Sequence, residues 1–174
     1  VEGCRLSFGR VLKFKHNDFE DLDRVLTTYG PELKGRLVVV DGVYSISGEL
    51  VDLPELVKVC QKHEASVMVD DAHSIGVLGK DGNGTASEFG LIDEVDITMG
   101  TFSKSFGSLG GYIVGDADVL SYVKHNARAL IFSASMPPSA VATVLAALDI
   151  IESEPERRER LHQICTRMKK EYEL

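Results

Sequence analysis

Cysteine is scarce in this sequence of 174 residues, and its three cysteines lie far apart. Cys4, Cys60 and Cys165 are odd in number and contain no C-x-x-C pair, so they indicate neither a disulfide framework nor a zinc site. A reducing, cytoplasmic environment is therefore expected.

Long hydrophobic runs and an excess of positive charge are also missing. No apolar stretch approaches the roughly 20 residues of a membrane span, and no charged-then-apolar leader opens the chain. The 19 basic and 27 acidic residues give a net charge of −8, which disfavours nucleic acid or an anionic membrane as the main partner. With 44% hydrophobic residues the chain can bury a core, and one domain is expected.

Strand and helix patterns alternate along the chain. Short β-branched or apolar runs predict strands at residues 36–45, 65–74, 94–101 and 110–116. Helices are predicted at residues 18–28, from near Asp52 to 63, and at 116–126, 139–152 and 156–170. The alternation predicts an open, mostly parallel α/β sheet with helices on both faces. The glycine-rich segment 76–90 is expected to be an exposed loop.

Polar residues follow three of the predicted strands. Ser45, the group from Asp70 to His73, and the group from Thr101 to Lys104 each come after a strand. Ligands of open α/β sheets bind outside the carboxyl ends of the strands, so these residues are expected to share one edge.

Lys104, in the stretch TMGTFSKSFGSLGG, is the first candidate catalytic residue. A P-loop needs Gly directly before its Lys, and Ser103 stands there instead. A sheltered lysine and a carboxylate such as Asp70 match the needs of pyridoxal phosphate (PLP), because the lysine holds the cofactor as a Schiff base and the acid keeps the pyridine nitrogen protonated. The alternatives are a surface lysine in a Gly/Ser loop and an Asp70 that caps its own turn.

His73 and several hydroxyl groups are further candidates. His73 can bond the ring hydroxyl or a substrate group, or it can be structural. Thr101, Ser103 and nearby backbone N–H groups can receive a phosphate, as can the FSAS hydroxyls, which helix capping explains equally well. A metal at Asp70, Asp71 and His73 is disfavoured, since no other histidine forms an H-x-x-H pair with His73.

The segment after Pro137 predicts a helix that is apolar around most of its circumference. We expect this helix to be buried, against the core or against another subunit.

With these residues in hand, the sequence resembles the α-oxoamine synthase family of fold-type I PLP-dependent enzymes. The family includes serine palmitoyltransferase, 8-amino-7-oxononanoate synthase, 2-amino-3-ketobutyrate CoA ligase and 5-aminolevulinate synthase. The matching stretches span nearly the whole chain and are KHNDFEDLDRVL, DGVYSISGELVDLPELV, VMVDDAHSIGVLGKDGNG, DITMGTFSKSFGSLGGYIVG and RALIFSASMPP.

The resemblance implies a role for each candidate. Lys104 becomes the lysine that binds PLP, Asp70 its pyridinium partner, and His73 and Ser45 the contacts to the ring hydroxyl. Further contacts are implied to the phosphate: Thr101 and Ser103 in the same subunit, and Ser133 or Ser135 to the phosphate of the neighbouring subunit. The family forms homodimers whose active sites lie at the interface, so a homodimer is expected.

The implied reaction is a decarboxylating condensation of an amino acid with an acyl-CoA that gives an aminoketone. The stretch from residue 124 to 161 is most similar to the soluble serine palmitoyltransferase type, which implies L-serine, a long-chain acyl-CoA and a 3-ketosphinganine-type product. The other family members and a catalytically silent homologue are alternatives, although a silent partner is expected to lose the lysine that this chain keeps. The remaining alternative hypothesis is a nucleotide-binding α/β domain, which would explain Lys104 as a phosphate contact but predicts no role for Asp70.

The extent of the match implies that the chain is part of a longer protein. Residues 1–153 are expected to form part of the PLP-binding large domain, and residues 154–174 the start of a helical link to a C-terminal small domain. The first residue is Val and not Met, and the family's ring-stacking histidine is expected just before the chain begins. We therefore expect an incomplete pocket and no independent activity.

Overall fold

A four-stranded sheet organises the molecule, in the order β1-β2-β3-β4. The computed structural model describes residues 2–172, and its strands are β1 (Leu37–Asp41), β2 (Ser66–Asp70), β3 (Ile97–Thr101) and β4 (Gly111–Gly115). β1, β2 and β3 are parallel, whereas β4 runs antiparallel to β3. The open, mostly parallel sheet is therefore confirmed. The first two strands end earlier than predicted because the polar residues that close each run form turns.

Eight α-helices accompany the sheet within residues 2–172. They are α1 (Glu2–Leu6), α2 (Phe19–Tyr29), α3 (Leu53–Lys62), α4 (Thr85–Glu88), α5 (Ala117–Asn126), α6 (Arg128–Ile131), α7 (Pro138–Ser153) and α8 (Glu156–Tyr172). The five predicted helices are present within about two residues of their predicted ends, while α1, α4 and α6 are too short to show a periodic pattern. None of the helices formed by residues 2–172 has both the length and the apolar composition needed to cross a membrane.

Aspartate side chains begin three of the helices. Asp52 accepts a hydrogen bond from the Glu55 N–H at 3.2 Å, which confirms the predicted start of α3. Asp18 and Asp116 act in the same way at α2 and α5. Such caps satisfy backbone N–H groups that have no partner inside the helix, and each typically contributes about 1 kcal/mol.

The hydrophobic core lies between the β1–β2 part of the sheet and helices α2 and α3. Alternate residues of each strand point into it, with Val38 and Val40 from β1 and Val67 and Val69 from β2. The helices contribute the leucine, valine and cysteine side chains Leu22, Leu26, Leu53, Leu56, Val57 and Cys60. Burial of each such leucine stabilises the fold by roughly 1.5–3 kcal/mol, so this packing holds β1 and β2 side by side.

Helix α7 is not buried against the core, which corrects one of the two arrangements expected for it. Within residues 2–172 only Ala140 of this helix is buried, while Leu145 is 58% exposed and Val141 and Ile150 are each 42% exposed. At the first turn the Ser108 hydroxyl donates to the Ala140 carbonyl at 2.9 Å, and near the other end Ile151 lies beside Gly76. Burial of the exposed apolar side chains against another subunit stays a prediction.

The helical break before α8 coincides with the predicted end of the large domain. α7 ends at Ser153 and α8 begins at Glu156. The division into residues 1–153 and 154–174 stays a prediction, and residues 173 and 174 lie outside the described residues.

The glycine-rich segment 76–90 is not an exposed loop, contrary to expectation. Gly82, Gly84, Thr85 and Ala86 are buried, and residues 85–88 form α4. The segment folds back on the end of β2, where the Gly76 N–H donates to the Gly82 carbonyl at 2.8 Å. The glycines of this segment therefore allow it to pack closely against the rest of the fold.

A buried polar cluster, formed by Asp71, Ser74 and Thr85, fixes this segment to the sheet. All three side chains belong to fully buried residues. The Thr85 N–H donates to Asp71 Oδ2 at 3.0 Å, and the Thr85 hydroxyl donates to Ser74 Oγ at 2.8 Å. Asp71 Oδ1 is buried without a hydrogen-bond partner among residues 2–172. We call these three residues the Asp71 cluster.

Two glycines make room for the Asp71 cluster. A Cβ atom at Gly42 would lie 2.1 Å from Thr85 Oγ1 and 2.4 Å from Asp71 Oδ1. A Cβ atom at Gly84 would lie 2.1 Å from Asp71 Oδ2, and the φ of Gly84 is +94°, a region that side-chain-bearing residues rarely adopt. The end of β1 and the start of α4 can approach the carboxyl group only because both positions lack a side chain.

We predict that Gly42→Ala destabilises the protein, because its new methyl group must displace buried hydroxyl and carboxyl groups. The expected loss in the free energy of unfolding is about 1–3 kcal/mol, as for other overpacked interiors. Denaturant unfolding measures it. Gly35→Ala is the matched control, because a Cβ there meets nothing within 4 Å. Equal stability of the two variants would contradict the described packing.

We also predict that Asp71 makes stability fall as pH rises. Burial, the largest cause, and then the nearby Asp70 charge raise the pKa of Asp71 above its ordinary value of 3.8, against the opposing effect of contacts with Thr85 and Ser74. The folded state therefore binds the proton more tightly than the unfolded chain. The Asp71 contribution is fully present below the unfolded-state pKa and is lost as pH rises through the folded-state value.

Denaturant unfolding of the cofactor-free protein at a series of pH values tests this dependence. Asp71→Asn should remove it, so the stability of the parent relative to this variant should decrease from acidic to neutral pH. Asp93→Asn, which changes an exposed carboxyl, is the control and should follow the parent. Parallel curves for the parent and Asp71→Asn would show that burial of Asp71 is not coupled to its protonation.

Candidate active site

The carboxyl ends of β1, β2 and β3 form the edge on which the candidate residues meet. Asp41 pairs with Asp70, and Asp70 pairs with Met99, two residues before Thr101. Backbone bonds continue the register beyond the strands, since the Gly42 N–H donates to the Asp70 carbonyl at 2.9 Å and the Asp71 N–H to the Met99 carbonyl at 2.8 Å. The turns that follow the three strands therefore leave the sheet from a common edge.

Asp70 is the last residue of β2 and is half-buried. Its Oδ1 accepts a hydrogen bond from the Ala72 N–H at 3.0 Å. This bond is the turn capping considered as one explanation of Asp70, and it involves one of the two carboxylate oxygens. The bond also limits the rotation of the carboxyl group, so capping of the turn and orientation towards a ligand are compatible roles.

The pKa of Asp41, at the end of β1, is influenced by three of the charged candidate residues. Desolvation, followed by the neighbouring charge of Asp70, raises the pKa of Asp41, while His73 and Lys104 act in the opposite direction. One carboxyl group thus lies within electrostatic range of Asp70, His73 and Lys104. The charges of all three predicted residues therefore act on the end of β1, and their assembly into one site stays a prediction.

Lys104 lies at the tip of a tight turn between β3 and β4. The turn is closed by backbone bonds from Phe102 to Gly110 at 3.0 Å, from Ser108 to Phe102 at 2.7 Å, and from Gly107 to Lys104 at 3.0 Å. Lys104 is exposed, as are its neighbours Ser103 and Ser105. The sheltered position expected for Lys104 is therefore not supplied by residues 2–172, which place the lysine but do not cover it.

Aromatic side chains support the turn that carries Lys104. Phe106 is buried, and its ring meets the Phe102 ring edge-on at 5.3 Å, while Phe102 also contacts the ring of Tyr112 at 5.3 Å. The Tyr112 ring packs directly on Gly100, where a Cβ atom would lie 2.4 Å from its Cζ. Two aromatic residues on either side of Lys104 therefore anchor an exposed turn to the sheet.

The hydroxyl groups of Thr101 and Ser103 are hydrogen-bonded to each other close to Lys104 in the sequence. Their oxygens are 2.9 Å apart, the Thr101 hydroxyl also lies 3.2 Å from the Gly110 carbonyl, and the Ser103 N–H donates to Thr101 Oγ1 at 3.3 Å. Ordinary turn bonding therefore occupies both side chains. Because hydroxyl groups both donate and accept, the pair can exchange these bonds for an anion.

Three predicted serines lie at the margins of this arrangement. Ser45 is exposed in the turn between Val43 and Leu50, and Ser135 is exposed before α7. The Ser133 hydroxyl donates to the Ala129 carbonyl. No hydrogen bond or ion pair within residues 2–172 joins these serines to Lys104 or Asp70. The roles assigned to these serines stay predictions. The bond made by Ser133 is the local helix hydrogen bonding that was considered as the alternative for the FSAS hydroxyls.

The glycines Gly110 and Gly111 allow a close approach of neighbouring atoms to the start of β4. A Cβ atom at Gly110, whose φ is +96°, would lie 2.7 Å from the sulfur of Met136, and one at Gly111 would lie 2.7 Å from the Gly100 carbonyl oxygen. Met136 therefore packs against the strand entry and fixes the segment that follows Ser135.

The cysteines and the possible metal ligands among residues 2–172 form no disulfide and no metal-binding group. All three cysteines are free, and Cys60 is buried with a pKa raised to about 12, chiefly by desolvation. Across residues 2–172, no group of three or more His, Cys, Asp and Glu side chains is arranged to hold a metal ion.

A cavity of about 320 Å³ lies beside the edge but does not contain the candidate residues. It is bounded by Ile75, Gly76, Phe106, Leu148 and Arg158, together with neighbouring residues of segment 76–90 and α7. Lys104, Asp70 and His73 are not among its lining residues. The charged residues are thus a better guide to the site than this cavity.

Asp41 and Asp71 were missed as part of this arrangement. Asp41 ends the run LVVVD just as Asp70 ends SVMVD, so a strand-end carboxylate was visible in the sequence for both strands. Asp71 was considered only as a metal ligand. Its burial depends on glycines 29 and 13 residues away, a relationship that no local pattern displays.

Comparison with known proteins agrees with this geometry. The family model described as aminotransferase class I and II matches residues 1–173. A serine palmitoyltransferase of Sphingobacterium spiritivorum is 55% identical over 161 residues, which are 92% of this chain and 40% of that protein. An 8-amino-7-oxononanoate synthase of Symbiobacterium thermophilum is 44% identical, again over 92% of this chain and 41% of that protein.

A solved structure, described as SPT with PLP internal aldimine, superposes with a TM-score of 0.88 and 41% identity, over 93% of this chain and 40% of that one. The chain thus spans about 40% of the length of the relatives it matches. The match extends over the sheet, the Lys104 turn and the helices that follow, and the chain belongs to the aminotransferase class I and II family.

Proposed function

We propose that this protein is a PLP-dependent acyltransferase that condenses L-serine with a long-chain acyl-CoA, releasing CO₂ and forming an aminoketone of the 3-ketosphinganine type. The observation that carries the proposal is the strand register, which brings Asp70 and the turn that carries Lys104 to one sheet edge. Identity of 55% to a serine palmitoyltransferase supports the choice of reaction. The chain covers about 40% of that relative, so the activity belongs to the full-length protein.

The residues of the edge fit the chemical groups of PLP. When bound, PLP supplies a pyridine ring that accepts electrons from the amino-acid substrate. Lys104 offers the amine that attaches the cofactor, and Asp70 offers a carboxylate for the ring nitrogen. His73 and Ser45 are proposed to bond the ring hydroxyl, and Thr101 and Ser103 the phosphate. Ser133 and Ser135 are proposed to reach the phosphate bound by a second copy of the chain.

Lys104 is also proposed to move the proton of the reaction. Lys104 Nζ would be placed to accept a proton from the α-carbon of the amino-acid substrate and later to return it. An amine does this only when neutral, and a desolvated position favours the neutral form. The exposed Lys104 of residues 2–172 therefore needs cover from another part of the protein or from a partner subunit.

A homodimer is the proposed source of part of this cover. Leu130 and Phe132 are 57% and 81% exposed in and after α6, and the apolar side of α7 continues this surface. Exposed apolar patches of this kind mark protein interfaces. The surface lies in the segment that holds Ser133 and Ser135, which supports a partner subunit close to the cofactor.

A second candidate is the reaction of another α-oxoamine synthase. The 44% identity to an 8-amino-7-oxononanoate synthase favours this alternative, and a 2-amino-3-ketobutyrate CoA ligase is related to it in chemistry. The candidates share the roles given to Lys104 and Asp70 and differ in the amino acid and acyl group. The cytoplasm is the proposed compartment, on the basis of the free cysteines.

We predict that Lys104→Ala abolishes attachment of PLP to the full-length protein. Adding PLP to the parent should produce the visible absorbance band of a lysine-bound cofactor. Borohydride reduction followed by peptide mass spectrometry should then place the cofactor on Lys104. Lys80→Ala, which removes another exposed lysine, is the control and should keep the band. A band retained by Lys104→Ala would refute the assignment.

We predict that L-serine with a long-chain acyl-CoA releases thiol from the full-length protein faster than glycine or alanine does. The amino acids are offered with short and long acyl-CoAs, and free CoA is measured with a thiol reagent. Lys104→Ala gives the background rate. Turnover of glycine or alanine without turnover of serine would exclude the serine palmitoyltransferase reaction and favour the second candidate.

A further inference from the structure

His73 is the candidate ligand-contacting residue whose placement is most constrained by its neighbours in the chain. It is half-buried and lies between Asp71 and Ala72 on one side and Ser74 on the other, all of which are buried. The Asp71 carbonyl accepts the N–H groups of Ser74 and Ile75, both at 3.0 Å, so residues 71–75 form one compact turn. His73 is thus held between residues whose side chains are enclosed by the fold.

The Asp71 cluster connects this turn to the other segments of the candidate site. Gly42, which packs on all three members, directly follows Asp41 and precedes the turn that carries Ser45. Thr85 begins α4 and brings segment 76–90 against the same carboxyl group. Three segments thus converge on Asp71 from beneath the edge where Asp70 and His73 are presented.

We propose that Asp71 is a positioning residue for cofactor binding: through Thr85 and Ser74, its carboxyl group holds the turn that presents His73 and Asp70. The proposal rests on the proposed function. Asp71 is enclosed by the chain and does not itself touch the ligand. Its effect reaches the ligand through the orientation of His73.

The chemistry of the cluster explains why a polar residue occupies this enclosed position. The Thr85 N–H belongs to the first turn of α4 and needs an acceptor, which Asp71 Oδ2 supplies. A hydrophobic side chain of similar size would fill the space but leave this N–H without its acceptor, while the Thr85 and Ser74 hydroxyl groups would keep only their mutual bond. An unsatisfied buried polar group costs about 1–3 kcal/mol, so the turn would rearrange to find new partners.

The test measures PLP binding to the full-length protein by the absorbance band, and the pH at which this band is half converted. Asp71→Ala should weaken PLP affinity about tenfold, the scale seen when a partner that orients a ligand-binding side chain is lost. It should also shift the pH midpoint of the band, because His73 is placed to contact the ring hydroxyl. Asp71→Asn keeps an oxygen that can accept from the Thr85 N–H and should retain most of the affinity.

Val57→Ala is the matched control, since it removes buried atoms from the core on α3. It should lower the thermal unfolding midpoint of the cofactor-free protein and leave the pH midpoint of the band unchanged. If Asp71→Ala lowers stability but keeps the parent pH midpoint, Asp71 is structural only and the proposal is overturned.

Two milder variants decide the matter if Asp71→Ala does not fold. Ser74→Ala and Thr85→Val each remove one hydroxyl of the cluster, and both should shift the pH midpoint in the same direction. An unchanged midpoint in both variants would overturn the proposal. Absence of the band in the parent protein would instead refute the proposed function, so the two failures are distinguishable.

Discussion

Parallel pairing of β1, β2 and β3 is the constraint on which the candidate site depends. Parallel strands end on the same side of a sheet, and the register here aligns Asp41 with Asp70 and Asp70 with Met99. A slip of one residue would send Asp70 to the opposite face, because side chains alternate along a strand. The valines of β1 and β2 prevent such a slip, since the same slip would take Val38, Val40, Val67 and Val69 out of the core. The hydrophobic core therefore sets the position of the charged edge.

The two consecutive aspartates at the end of β2 lie in different environments. Asp70 is half-buried at the edge and holds its own turn through the Ala72 N–H. Asp71 is fully buried beneath the edge, where Gly42 and Gly84 leave space for its carboxyl group. Burial and then the Asp71 charge raise the pKa of Tyr112. The same tyrosine ring packs on Gly100 in β3, so the buried carboxyl acts electrostatically on a residue that supports the Lys104 turn.

Local patterns were sufficient to predict most of the fold, and the site residues chosen from them stay predictions. Helix α3 was predicted from the Asp52 cap, and β1 and β2 from runs of valine that end in aspartate. Segment 76–90 was wrongly expected to be exposed, because its glycines are as common in loops as in tight packing. Burial of Gly84 and Thr85 depends on Asp71, which lies 14 residues from Thr85, and such a distant contact leaves no periodic signal. For α7, the composition correctly indicated an apolar surface. It could not show whether that surface packs against the core of the same chain or against a partner subunit.

The exposure of Lys104 connects the site to the surfaces that remain uncovered. An amine in water stays protonated at neutral pH, so neither attachment of an aldehyde nor proton abstraction is efficient at an open site. Residues 2–172 fix the lysine through Phe102 and Phe106 but leave its side chain in solvent. The apolar residues of α6 and α7 are exposed in the segment that Met136 fixes against Gly110, close to Thr101 and Ser103. A subunit packed on that surface would bury hydrophobic area and reduce the solvation of the edge in a single step. In the proposed homodimer, formation of the dimer and activation of Lys104 would be coupled, because the same contact would serve both.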